Sequence, residues 1–355
     1  MTVQVQNLGL GPELDVMAVP DHPWMPLLKF DALNIIRARA PDYEIQFAIT
    51  ESFDVQAKAN YQPTVILVTG GMVDAIFRFS AQLVTAGVFI SFGDAEPKWA
   101  PSVERSFATI QDLIKSEAVR WNPGFLPWIK DKERVELFLF LALSLHRFVV
   151  LHELGHIVLG HGDCKDSKNE PIIEVQHSDL PDRVAARQSQ ACELAADAYA
   201  INEMVSCFEA EYDRDQLDPM RALIKSKLMG SGRERLRMVL FFAYAFFQIL
   251  DRRNWTLASA MLATHPPAPA RVKSALATAL NMSINDASEE EVEQEVAASS
   301  GLSQAIIGIG FNVYPDLDWL RRLDEAEYDA WMVSVLENIP DYVRRKAGPG
   351  KIGAA

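Results

Sequence analysis

The residues in this chain best suited to chemistry are His152-Glu153-Leu154-Gly155-His156, two histidines four apart with a glutamate directly after the first. On a helix these histidines lie one turn above each other, so both imidazoles can aim a ring nitrogen at one point. Neutral imidazoles converging in this way are zinc ligands by type, and the HExxH spacing is that of zinc hydrolases. Glu153 stands beside the same point without being needed as a ligand. A carboxylate there can take a proton from an activated water and return it to a leaving amine. Two core histidines satisfied by backbone carbonyls are the competing reading, which explains each residue singly but not the convergence of all three.

The element that must position them is residues 134–160, RVELFLFLALSLHRFVVLHELGHIVLG, which contain no proline and are apolar on nearly every face until Gly160 and Gly162. This pattern predicts a buried helix or helix pair, where unpartnered histidines and a glutamate would be unfavourable. Zinc needs a third protein ligand and an open position for water. In the pattern HExxHxxGxxH the third histidine would fall at 162, which is Gly162; His161 is one residue early, and that reading fails. In the other pattern a later helix supplies a glutamate, and residues 193–200, ELAADAYA, fit it. Glu193 and Asp197 share a face, so Glu193 can bind metal while Asp197 accepts the free N–H of a ligand histidine. An alanine-rich helix with two solvated acids is the alternative. Asp163, Cys164, Glu170, Glu174 and His177 are rival ligands within residues 161–190, a polar, proline-containing stretch that reads as a surface loop gating the cleft. Cys192 points about 100° away from Glu193 on a helix and reads as packing.

Taken in order, HELGHIVLGH, ELAADAYA and THPPAPARV (264–272) resemble the motifs of the gluzincin peptidases typified by HtpX and the CAAX-prenyl proteases. The resemblance implies zinc held by His152, His156 and Glu193, with Glu153 as catalytic base. It implies that His265 and Arg271 stabilise the tetrahedral intermediate and support the site, and that His161 is a further, non-ligating histidine. His265, before two prolines, is held in an extended turn, where it suits a hydrogen-bond donor toward developing negative charge. Upstream, ANYQPTVILVTGGMVDAI resembles the segment in which an edge strand of that family pairs with extended peptide, so strand 64–69 is expected to hold substrate. A plain core strand is the other reading.

Composition bounds the rest. Of 355 residues, 49% are apolar and 23% charged, a soluble globular profile with room for one large or two ordinary domains. A net charge of −14 argues against a nucleic-acid surface and against anionic lipid. The N-terminus lacks the basic start and apolar core of a signal peptide, and three unpatterned cysteines suit a reducing cytoplasm. The apolar runs 137–145 and 238–250 are shorter than the about 20 residues of a membrane span and read as buried helices. The second, flanked by Arg235, Arg237, Arg252 and Arg253, has an interfacial segment as its alternative.

The expected fold is α+β, mainly α: a zincin-like peptidase with a small N-terminal sheet beside the HExxH helix. The expected division is an N-terminal α+β region (1–115), a helical zinc core (116–280), and a C-terminal helical region with a disordered tail (281–355). Strands are expected at 44–50, 64–69 and 88–92 and helices at 31–40, from the glycines after 69, from 193 to about Tyr212, over 238–250, from a capping signal at Ser288, and within 316–345. Trp99, Trp121 and Trp128 read as packing residues. The function this supports is a zinc-dependent metalloendopeptidase acting on a peptide or protein. Its rivals are a regulatory or phage-exclusion-type protease with one target, a non-peptidic zinc hydrolase, and a non-catalytic zinc-stabilised interaction module.

Overall fold

The computed structural model describes residues 12–16, 23–93, 109–115, 126–163, 183–251, 255–314 and 322–339. In chain order they form α1 (Met25–Arg39), β1 (Gln46–Thr50), β2 (Ala57–Tyr61), β3 (Thr64–Thr69), α2 (Gly70–Ala86), α3 (Ile110–Lys115), α4 (Lys132–Val158), α5 (Arg183–Tyr212), α6 (Pro219–Leu228), α7 (Gly232–Leu250), α8 (Leu257–Ala260), α9 (Ala268–Leu280), α10 (Glu289–Phe311) and α11 (Ala326–Leu336). The architecture is α+β and mainly α, with a three-stranded sheet packed on the HExxH helix. One continuous apolar core runs from Val16 to Val313 and draws on all three sequence segments. Trp99, Trp121, residues 164–182 and the tail after 339 lie outside the described residues.

Helix α4 starts where Asp131 accepts the backbone N–H groups of Glu133 and Arg134, and then runs unbroken for 27 residues. Its apolar faces are covered by α1, α2, α5 and α7. The expected buried helix over 134–160 is thus present, and it runs through His146 and Arg147 without a break. Arg147 continues the helix because its charge is met by Asp31 of α1 at 2.7 and 2.8 Å and by Glu211 of α5 at 2.8 Å. By length and hydropathy α4 is the one described helix that meets the requirement of a membrane span, and most of that window is buried inside the protein.

The sheet order is β1-β3-β2, with β1 parallel and β2 antiparallel to β3. Two expectations change here. Residues 64–69 form the central strand, hydrogen-bonded on both sides, and so cannot accept a substrate strand. Residues 88–92 form turns rather than a strand: Gly87 closes α2 with a φ of 67°, and the N–H of Phe92 bonds back to the carbonyl of Phe89. The outer side of β1 is met by residues 12–14 through Leu14 N–H to Ile49 and Glu51 N–H to Pro12. No described strand pairs with the outer side of β2, and the strand itself contacts α4.

His146 of α4 is fully buried, edge-on to Phe47 at 5.8 Å, with neither ring nitrogen hydrogen-bonded. Burial pushes its pKa down to about 4, outweighing the upward pull of Asp31, with Arg147 adding to the depression. An unfolded histidine takes its proton near pH 6.5, so between those values the unfolded chain binds more protons and stability falls as pH falls. Between pH 7 and pH 5 the wild type should lose about 2 kcal/mol more than His146→Leu, measured as the difference between their urea midpoints at each pH. Equal losses in both proteins would exclude His146 as the source.

Candidate metal centre

The site forms where the last turns of α4 cross the middle of α5. A Cβ on Gly155 would lie 3.1 Å from the Tyr199 ring and 3.2 Å from the Cα of Ala196, so glycine permits this close crossing. Small side chains on α5, Ala195, Ala196 and Ala198, serve the same approach and are all buried. The alanine-rich segment is therefore a contact surface rather than a solvated helix. Glu193 and Asp197 are each only 1% exposed.

His152 Nε2 lies 3.3 Å from one Glu193 carboxylate oxygen, and His156 Nε2 lies 3.3 Å from the other. The two Nε2 atoms are 3.2 Å apart. Four ligands at about 2.0–2.1 Å from a tetrahedral metal are separated by about 3.3 Å, so these three side chains fit zinc in donor type and in spacing. Their ligand atoms make up the one buried group of three such donors found among the described residues.

Charge supports the same fit. Burial opposes ionisation of Glu193, yet His265, His156 and His152 hold its carboxyl well below the usual range. Burial likewise opposes a charge on His152, but the neighbouring carboxylates of Asp197 and Glu193 raise its pKa to about 9. Glu153, Glu193 and Asp197 are three buried carboxylates around one buried guanidinium, Arg271. The pocket therefore calls for a further positive charge, which a divalent ion would supply while displacing the proton.

The distal nitrogens of both histidines are also held. His152 Nδ1 lies 2.9 Å from Asp197 Oδ1. Arg271 grips Asp197 with two bonds, Nε to Oδ2 at 2.8 Å and Nη2 to Oδ1 at 2.6 Å. Its guanidinium stacks on Phe247 at 4.6 Å and Phe246 at 5.3 Å, and Phe246 in turn lies 5.9 Å from the His152 ring. On the other side, a turn at Gly160 (φ 73°) brings the fully buried His161 to 2.8 Å from His156, Nδ1 to Nδ1. Such partners set the ring orientation of ligand histidines and raise metal affinity.

The remaining candidates fall as follows. Glu153 is buried beside His152 on α4, and its charge is felt at Arg271. His265 precedes α9 and reaches the cluster, with Nε2 at 3.4 Å from Glu193 Oε1 and Nδ1 at 2.9 Å from the Thr264 hydroxyl. Arg271 commits two of its nitrogens to Asp197, an arrangement suited to supporting the site rather than facing a substrate oxygen. Cys164, Glu170, Glu174, His177 and the Asp163 side chain lie outside the described residues. Helix α5 begins at Arg183, so residues 183–190 are helical and not loop. That misreading hid Gln190, one turn before Glu193 and fully buried; its spacing from Glu193 was the signal available.

A family model described as Peptidase U49 matches residues 94–290, more than half of the chain, and that span holds α4, α5 and the His265–Arg271 segment. No curated protein and no solved structure matches the chain.

Proposed function

Because the chain belongs to the Peptidase U49 family, we propose that its peptidase activity is that of a zinc-dependent endopeptidase of the gluzincin type. The observation that carries this is the buried cluster of His152, His156 and Glu193, in which the two Nε2 atoms lie 3.2 Å apart and each lies 3.3 Å from a different Glu193 oxygen. Zinc bound there would supply Lewis acidity toward the scissile carbonyl and a more acidic water.

The protein's own residues divide the remaining work. Glu153 takes the proton of the attacking water and delivers it to the departing amine. The Thr264 hydroxyl lies 2.9 Å from His265 Nδ1 and Nε2 is the nitrogen nearer the cluster; we assign the ring proton to Nε2, with the hydroxyl donating to Nδ1. From there His265 donates toward the oxyanion as it forms. Asp197 and Arg271 hold the His152 ring in register, and His161 holds that of His156. The substrate is a peptide or protein, and we assign its extended backbone to the outer edge of β2, the side of the sheet with no described strand beside it. Tyr61 at the end of β2 lies against Gly162, just beyond the HExxH helix, which supports this direction of approach. Cys192 and Cys207, both buried and in the reduced form, support a cytoplasmic setting.

Elemental analysis of the wild type and of Glu193→Ala, paired with cleavage of unfolded casein, tests the reading. One zinc per chain should be present in the wild type and lost in the variant together with cleavage. Undiminished cleavage by a metal-free chain would overturn it.

A further inference from the structure

Helix α5 turns three side chains, Gln190, Glu193 and Asp197, toward the segment from α8 to α9 at a spacing that puts them on one face. Glu193 meets His265 and Asp197 meets Arg271. Gln190 meets the backbone. Its side-chain nitrogen donates to the carbonyls of Ala260 and Ala263, each at 2.6 Å, and the side chain is fully buried. Two carbonyl neighbours fix which end of the amide faces them. The carboxamide oxygen is buried without a hydrogen-bond partner, a penalty that an apolar side chain of equal size would avoid.

Helix α8 has only four residues, and Ala260 is the last of them. Its last carbonyls are met locally only by the turn that follows, with Ala263 N–H 3.1 Å from the Ser259 carbonyl and 3.3 Å from that of Ala260, and a helix this short does not fix its own position. One residue, Thr264, separates Ala263 from His265, and Pro266 and Pro267 restrict the chain on the other side. The two bonds from Gln190 thus tie the approach to His265 onto the helix that carries Glu193.

We propose that Gln190 is a positioning residue that sets His265 against the metal centre. The effect on catalysis rests on the role given to His265 above; the effect on the loop does not. Gln190→Met removes both donors at similar volume, and Gln190→Asn, which keeps the amide but withdraws it by one methylene, serves if the first variant folds poorly. Amide hydrogen exchange at residues 261–265 should rise roughly tenfold in either variant, with zinc content and exchange in α4 unchanged. In peptide cleavage kcat should fall with little change in KM, and Gln190→Met combined with His265→Ala should be no slower than His265→Ala alone. Unchanged exchange at 261–265 overturns the proposal, as do losses in kcat that multiply in the double variant. If His265→Ala itself cleaves at the wild-type rate, the role of His265 fails, and the exchange measurement alone decides the place of Gln190.

Discussion

On the proposed mechanism, Glu153→Gln should keep the zinc and the fold of the wild type and lower peptide cleavage by about 10²–10⁴-fold. The amide has the same shape as the carboxylate it replaces, so the packing of a residue only 2% exposed is preserved. It has no basic oxygen, and the proton of the attacking water then has no acceptor beside His152. The three proposed ligands are untouched, so metal content measured on the same sample separates this loss from a loss of the site. A variant that retains full zinc and full activity would remove Glu153 from the mechanism. Zinc retained with activity reduced severalfold would point to another base.

The second large effect is on stability. Arg271→Met leaves Asp197 buried, ionised and without its guanidinium, and should destabilise the protein by about 3–5 kcal/mol. Burial by itself would push the Asp197 carboxyl upward; Arg271, with His152, holds it below the usual range. Urea denaturation of the metal-free proteins measures the difference. Replacing both partners, Arg271→Met with Asp197→Leu, should recover much of the stability, because no charge is left unpaired. It should not recover zinc affinity, which is expected to fall about 10–100-fold once His152 loses the group that orients it. A loss in the single variant below about 1 kcal/mol, the range of exposed pairs, would show that water reaches Asp197.

Much of this centre was legible in the sequence because its geometry is set within helices. Histidines at i and i+4, and carboxylates at i and i+4 on a second helix, keep their mutual positions in any fold that retains those helices. The strand ending at two glycines and the capping box at Ser288 are equally local, and both appear as read. Order within the sheet is not local. Ala57–Tyr61, AKANY, has little strand propensity and pairs because β3 lies beside it, so the sequence pointed to the wrong strand for the edge. Residues 88–92 have the composition of a strand, yet their backbone is engaged in turns. Arg271 was marked by its motif, but only the folded chain brings it to a carboxylate 74 positions away.

That separation has a consequence for biosynthesis. The three candidate zinc ligands are complete in the chain at residue 193, while His265 and Arg271 follow some seventy positions later. At a translation rate of about 5–20 residues per second, the ligand helices leave the ribosome several seconds ahead of the segment that completes the site. A nascent chain in that interval carries Asp197 but lacks Arg271, which grips it, and His265, to which the oxyanion is assigned. On the proposed mechanism, the order of synthesis would delay cleavage until the segment carrying His265 and Arg271 has left the ribosome.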